Sequence, residues 1–335
     1  MRAHAPPAAR CPRGAIVWGM PSTSGRLTAA RPPPRRPTAA ATPPAPSWDA
    51  ADVAALLAAA GDGTAPPVAS VHLVGTGPGD PGLLTLRAAR LMATADVVLY
   101  DRLVSPDILR LVNPSARMVY VGKAAGLHTR PQAEIESLLA AFAGEGGTVL
   151  RLKGGDPFIF GRGGEEAAAL RAAGVSVSVV PGVTAAAGVC ADLGIPATHR
   201  GVATAVTYMT GHAREGGEGE LRECARAAAD QATTLVVYMG LATLPTLSSD
   251  LIRAGLNPGT PAVAVERGTT ADCRAVHAPL AALPTAVAAA GLQSPTLLVI
   301  GDVVALSPGW KAAFGGVEGA GVEGRGGALA AARLA

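Results

Sequence analysis

Charge is scarce in this sequence. Lys, Arg, Asp and Glu together make up 16% of it, well under the usual quarter of a soluble domain. The net charge is only +3, and no long Lys/Arg run interrupts the part that can fold, which argues against a nucleic-acid partner. Cysteine is scarce as well. Cys11, Cys190, Cys224 and Cys273 are scattered and form no CxxC pair. That argues against a disulfide framework or a zinc site, and for a reducing compartment; no metal is expected. No run of about 18 apolar residues occurs, so no transmembrane helix is expected. Acidic residues are missing altogether from residues 1–48, which carry seven Arg and no Lys before the first acid, Asp49.

What remains is apolar and glycine-rich. Apolar residues reach 49% of 335, enough for a core and for two ordinary domains. The Arg-rich, acid-free opening, exemplified by RLTAARPPPRRPTAAATPPAPS, cannot bury enough surface to fold alone. It has the composition of an organellar transit peptide; the alternative is a disordered arm of a GC-rich bacterial protein. The expected organisation is a disordered segment over 1–69, α/β domains over 70–196 and 197–311, and a low-complexity tail over 312–335.

Between the tails, apolar runs alternate with amphipathic ones. Strands are expected at 71–75, 97–100, 118–121, 148–152 and 176–180, with helices at 83–95, 106–112, 133–143 and 164–174. This alternation predicts a parallel α/β sheet. A second series follows Pro196: strands at 205–210, 233–240, 261–266, 273–278 and 296–301, helices near 243–254 and 280–290, and a polar loop-plus-helix between 211 and 231. Two α/β domains meeting near residues 183–200 would place a ligand at strand carboxyl ends or in the cleft between them.

Three glycine-rich stretches follow strands. GTGPGDPG (75–82) satisfies GxGxxG, and Asp101 ends the next strand, which is the outline of a dinucleotide-binding turn. Asp80 would repel a pyrophosphate, however, and Pro78 and Pro81 lack the amide donors that cradle one. The turn suits a ligand without phosphate, or no ligand at all. LKGGDPFIFGRGGEE (152–166) sets Asp156 behind Gly154 and Gly155, where it could accept from a ligand or cap a helix. VVPGVTAAAG (179–188) offers the hydroxyl of Thr184 as a cap or ligand contact. The small residues after it permit either a flat ligand or close helix packing.

These blocks, with VVLYDRLVS, YVGKAAG, GIPATHR, TLVVYMG and AVERGTT, occur in the order found in the tetrapyrrole methylase family. The sequence resembles that family over residues 71–310, and within it the branch that C-methylates uroporphyrinogen III, in its plant and algal form. The resemblance implies two α/β domains with S-adenosyl-L-methionine folded up in the cleft between them, a homodimer, and two methylations of uroporphyrinogen III, at C2 and C7. The products would be precorrin-1 and then precorrin-2, on the way to sirohaem. It further implies cofactor contacts at Pro78, Gly154, Gly155, Asp156, Ile159, Thr184, Ala185, Met239 and Gly268. By the same resemblance Asp101 is the proton acceptor and Lys123 the proton donor. The substrate is an octacarboxylate, so Arg102, His128, Arg130, Arg162, His199, Arg200, His212 and Arg214 are candidate partners.

Two departures stand out: Ala124 follows Lys123 where the family often carries Arg or Thr, and 216–231 is long enough to be a surface insertion. No fused dehydrogenase–ferrochelatase domain is expected. The location implied is the plastid for a eukaryotic chain and the cytoplasm otherwise. Competing readings are a related precorrin or diphthamide methylase, and, in another class, a NAD-dependent oxidoreductase or a nucleotide-binding regulatory module.

Overall fold

The computed structural model describes residues 9–10, 16–17, 71–122, 131–212 and 218–315. The disordered segment expected over 1–69 and the tail after 315 lie outside these residues, apart from two dipeptide strands noted below.

The first sheet has five strands: β1 (Val71–Gly75), β2 (Val97–Tyr100), β3 (Arg117–Tyr120), β4 (Val149–Lys153) and β5 (Val177–Val180). Their spatial order is β3-β2-β4-β1-β5, and every pairing is parallel. All five carboxyl ends therefore open on one edge. The helices are α1 (Leu86–Thr94), α2 (Pro106–Leu109), α3 (Gln132–Glu145) and α4 (Gly163–Ala172).

Strand alternation divides the core. Val74, Val98, Leu150 and Leu152 pack under Leu91 and Met92 of α1 and Ile108 of α2. Val71, Leu73, Leu99 and Val149 face Ile135 and Leu139 of α3 and Leu170 of α4. Covering both faces is what makes parallel strands near-continuously apolar. A 3-10 turn, Pro81–Leu83, is capped by Asp80 and precedes α1, whose own cap is Thr85. That pair of caps moves the start of α1 from the expected residue 83 to 86.

The second sheet is mixed. Its main strands are β6 (Ala205–Thr210), β7 (Thr233–Tyr238), β8 (Pro261–Glu266), β9 (Arg274–Pro279) and β10 (Thr296–Ile300), in the order β9-β8-β10-β7-β6. The dipeptide strands Ala9–Arg10 and Ile16–Val17 extend it beyond β9. β6 and β7 run parallel; β10 is antiparallel to both β7 and β8, and β8 is antiparallel to β9. The carboxyl ends of β6, β7 and β8 thus share one edge.

Two helices cover one face, α7 (Leu244–Arg253) and α8 (Leu283–Ala290), with Ala225 and Ala228 of α6 (Glu218–Ala228) beside them. The other face is covered by α5 (Ala185–Asp192), which follows the first sheet in the chain. Its Ala186, Val189 and Cys190 pack with Val236, Val263, Val265, Leu297 and Val299. The described residues close with a 3-10 turn over Asp302–Leu306 and α9 (Pro308–Phe314).

His277 lies in β9, 1% exposed, with Gly309 of α9 against its ring. Neither ring nitrogen has a hydrogen-bond partner among the described residues. Burial pushes its pKa down to about 4 from the usual 6.5. A folded value below the unfolded one means the neutral ring is favoured by folding. The stabilisation is complete above pH 6.5 and is lost as pH falls toward 4. The expected result is a loss on the order of 3 kcal/mol across that window. Melting His277→Leu beside the parent at pH 7 and pH 4.5 checks it: the variant should lose clearly less stability on acidification.

Candidate active site

The three glycine-rich stretches meet at the carboxyl edge of the first sheet, backbone against backbone. Gly77 N–H donates to Gly155 O at 3.2 Å, and Gly155 N–H donates to Gly77 O at 2.7 Å. A Cβ on Gly75 would lie 2.6 Å from Gly182 N and 2.7 Å from Gly155 O. A Cβ on Gly182 would press onto Gly155 O from the other side. No side chain fits at position 75 or 182.

Asp156 fastens them. Its Oδ1 accepts from Phe158 N–H at 2.8 Å and its Oδ2 from Gly182 N–H at 3.1 Å. It does not cap α4, whose N-cap position is held by Arg162 in the left-handed region. Asp156→Ala should therefore part the second loop from the third. Loss of charge-assisted bonds of this kind costs roughly 1.5–3 kcal/mol, and the apparent affinity for S-adenosylhomocysteine, the ligand the family resemblance implies, should fall about tenfold or more. Calorimetric titration measures this; an unchanged dissociation constant would assign Asp156 to local turn geometry alone.

The GxGxxG turn is not built to hold phosphate. Asp80 Oδ1 takes the Gly82 amide at 2.7 Å, and Gly77 N–H is committed to Gly155. Pro78 and Pro81 have no amide to give. Pro78 instead packs against Gly188 of α5, and Gly79 lies against Thr270 of the loop after β8.

The loops of the two sheets face each other here. Tyr238, at the end of β7, sets its hydroxyl 2.5 Å from Thr184 Oγ1 and accepts from Ala186 N–H at 3.0 Å. Thr184 sits at the α5 N-cap, but its hydroxyl goes to Tyr238 rather than to the helix. Tyr238 also packs edge-on to Tyr208 and tilted on Phe160, with ring centroids 6.0 and 5.0 Å away. Gly155 borders Thr184 and Ala185, Gly154 borders Leu103, and Gly268 borders Val189 of α5. Ile159 closes the turn that starts at Asp156, through Ile159 N–H to Asp156 O at 3.3 Å. Met239 is 52% exposed beside Tyr238.

Backbone strain concentrates at the same place. Among the described residues, the non-glycine residues with positive φ are Phe160, Arg162, Met239, Arg267 and Thr269. All lie in the loop after β4, β7 or β8. Such conformations cost about 1–3 kcal/mol each and persist where the surroundings dictate them.

Asp101 follows β2. Its Oδ1 accepts from Leu103 N–H at 2.9 Å and its Oδ2 from Arg151 Nη2 at 2.8 Å. Behind it lies a group of buried charges absent from the sequence reading. Glu166 Oε1 receives Lys153 Nζ at 3.1 Å, Arg151 Nε at 3.4 Å and Gln132 Nε2 at 3.2 Å. Burial, and next the neighbouring Arg151 charge, lower the pKa of Lys153. One signal was available: Arg151 and Lys153 alternate with leucines in RLK, where a central parallel strand is ordinarily apolar throughout.

The expected cations fare less evenly. Arg102, Arg162, His199, Arg200 and His212 are exposed. Arg162 pairs with Glu165 at 2.6 Å, and His199 Nδ1 lies 3.0 Å from Arg200 O in a tight turn. His212 leaves β6 beside the close backbone contact of Gly211 with Gly240. Arg102 adjoins Asp101 in the chain. Lys123, His128, Arg130 and Arg214 lie outside the described residues.

Two α/β layers that face one another through strand carboxyl ends, with glycine loops between them, define a cleft-binding α/β protein. Comparison with known sequences makes this particular: residues 70–284 match the tetrapyrrole (corrin/porphyrin) methylases, and the chain belongs to that family. It is 60% identical over 240 residues to the chloroplastic S-adenosyl-L-methionine-dependent uroporphyrinogen III methyltransferase of Arabidopsis thaliana, covering 72% of this chain and 65% of that protein. It is 52% identical over 237 residues to a sirohaem synthase of Methylococcus capsulatus, covering 71% and 50% respectively. The chain thus spans about two thirds and one half of the lengths of these relatives. Among solved structures, the uroporphyrin-III C-methyltransferase of Thermus thermophilus complexed with S-adenosylhomocysteine superposes with a TM-score of 0.60 at 43% identity, over 70% of this chain and 93% of that one. No helix among the described residues is long and apolar enough to cross a membrane.

Proposed function

We propose that this chain is an S-adenosyl-L-methionine-dependent methyltransferase that methylates uroporphyrinogen III at C2 and C7, giving precorrin-1 and then precorrin-2 for sirohaem. The observation that carries the reading is 43% identity spread over 93% of the solved Thermus uroporphyrin-III C-methyltransferase, in a chain whose glycine loops form a cradle without phosphate donors. The two lobes are residues 70–196 and 197–311, with α5 of the first segment carried across to dock on the second sheet.

The residues present fit the cofactor. The cradle is largely backbone, with the Asp156 carboxylate and no basic residue in GTGPGDPG, as suits a cationic sulfonium rather than a pyrophosphate. Thr269 Oγ1 is buried there with no hydrogen-bond partner among the described residues. Pro78, Gly154, Gly155, Asp156, Ile159, Thr184, Ala185, Met239 and Gly268 would hold it. When bound, S-adenosylmethionine supplies an electrophilic methyl group to a nucleophilic pyrrole carbon.

The protein's part is largely orientation, worth up to about 7–11 kcal/mol of barrier when two reactants are held in line. Asp101 takes up the proton released as the macrocycle rearranges, and Lys123 returns one. The candidates to hold the carboxylates are Arg102, His128, Arg130, Arg162, His199, Arg200, His212 and Arg214. The protein works as a homodimer in the plastid; support for the compartment comes from the chloroplastic plant relative and the acid-free, Arg-rich first 48 residues.

The test is anaerobic incubation of the full chain with uroporphyrinogen III and S-adenosylmethionine, with product mass as the readout. Masses shifted by one and then two methyl groups are expected. An unchanged macrocycle, together with binding of NAD but not of S-adenosylhomocysteine, would overturn the assignment.

A further inference from the structure

The charges behind Asp101 are arranged in alternation. From the cleft inward they run Asp101, Arg151, Glu166 and Lys153, with side chains 20%, 4%, 0% and 7% exposed. They come from the residue after β2, from β4 and from the first turn of α4; Gln132 at the start of α3 joins them at Glu166 Oε1, while Glu166 Oε2 has no hydrogen-bond partner among the described residues. Three of the four charged members contact no solvent to speak of. Desolvating charged groups costs several kcal/mol each, and a valine or leucine at 151 and 153 would cover the same sheet face as its neighbours do. Stability alone does not account for them. The most exposed member is Asp101, at the carboxyl edge of the first sheet.

The geometry there is specific. Arg151 Nη2 meets Asp101 Oδ2, its Nη1 donates to Leu152 O at 2.8 Å, and its Nε turns to Glu166. All three nitrogens of the guanidinium are engaged, so its plane is set by the strand and by α4. The carboxylate is gripped on its other oxygen by Leu103 N–H. A planar fork bonded on every side fixes a carboxylate's orientation in a way a lysine ammonium cannot.

We propose that Arg151 is a positioning residue for Asp101, and that Glu166 is the anchor that holds Arg151 in place. This rests on the reading of Asp101 as proton acceptor. Arg151 touches no reactant. It holds Asp101 Oδ2 while Leu103 N–H holds Oδ1, and together the two bonds keep the carboxylate from rotating. Glu166 fixes the guanidinium, and Lys153 with Gln132 fixes Glu166. The sheet and the α4 N-terminus thereby set the reacting group through one chain of contacts.

A double-mutant cycle on the full-length enzyme tests this. Arg151→Lys keeps the charge and loses the fork. It should lower kcat roughly 10²-fold, the scale of a misplaced reacting group, with the KM for uroporphyrinogen III and the dissociation constant of S-adenosylhomocysteine unchanged. In an Asp101→Asn background the same change should cost nothing further, because Arg151 acts only through the carboxylate. Glu166→Gln, nearly isosteric, should repeat the pattern more weakly and decides the matter if Arg151→Lys does not fold. A full loss from either change in the Asp101→Asn background, or a loss carried by KM or by donor affinity, overturns the proposal and makes the group structural. If the parent methylates but Asp101→Asn is as fast as the parent, the base assignment fails, and the positioning role with it. If the parent transfers no methyl group, the functional reading itself is what has failed.

Discussion

Asp101→Asn should methylate uroporphyrinogen III roughly 10²–10⁴-fold more slowly than the parent, the usual scale for a positioned acid or base. Asn keeps the shape of the side chain and can still accept from Leu103 N–H, as Asp101 Oδ1 does at 2.9 Å. What is lost is a carboxylate able to take a proton. No glycine of the cradle bonds to Asp101, so affinity for S-adenosylhomocysteine should barely move. Single-turnover methylation followed by product mass, with calorimetry alongside, gives both quantities. A near-parental rate would reduce Asp101 to scaffold. A variant that fails to bind the nucleoside would instead revive the ribose-binding acid of a dinucleotide turn.

Gly182→Ala should be a severely damaging one-carbon change. The added methyl has nowhere to go, because its neighbours are the Gly155 carbonyl and the backbone of Gly75. These belong to the ends of two adjacent parallel strands and cannot swing aside as a side chain would. Overpacking ordinarily costs about 1–3 kcal/mol, and a backbone obstacle places this substitution at or beyond the upper end. The Asp156–Gly182 bond, at 3.1 Å, would be strained at the same time, so donor affinity should fall with the melting temperature. Gly164→Ala is the matched control. A Cβ there meets nothing within 4 Å, and a helical Gly→Ala change is expected to stabilise by about 0.4–1 kcal/mol. Equal melting temperatures for the two variants would show that the three loops can part at little cost.

The strands were legible because both sheets are covered on both faces, leaving apolar runs short and continuous. Those at 71–75, 97–100, 205–210 and 261–266 fall where the sequence puts them. The mixed direction of the second sheet has a sequence trace too: only seven residues separate β8 from β9, too few for a helical crossover, and the two pair antiparallel. The glycine loops were visible as punctuation after strands. Which loop touches which was not, since Gly75, Gly155 and Gly182 are brought together only by the order of strands in the sheet. The same holds for Thr184 and Tyr238, 54 residues apart in the chain. Asp156 had two readings in the sequence, a ligand acceptor or a helix cap; the bonds it makes are to two loop amides. α9 was not anticipated, although Ser307 and Pro308 are ordinary helix-start residues.

α5 has a consequence for how the chain is made. It follows the first sheet in sequence but docks on the second, with Val189 and Cys190 among Val236, Val265 and Val299. On the ribosome it emerges as soon as β5 is complete, while its docking surface is not finished until β10 has been synthesised. Through that interval its apolar side has no partner from its own chain, and the first glycine loop lacks the helix against which Pro78 rests. The nascent first half can pair its strands early, yet the cradle stays unassembled until β10 has been made. A chain stalled before residue 296 would therefore carry a formed sheet and an uncovered helix, the kind of species that chaperones retain and that aggregates when they do not.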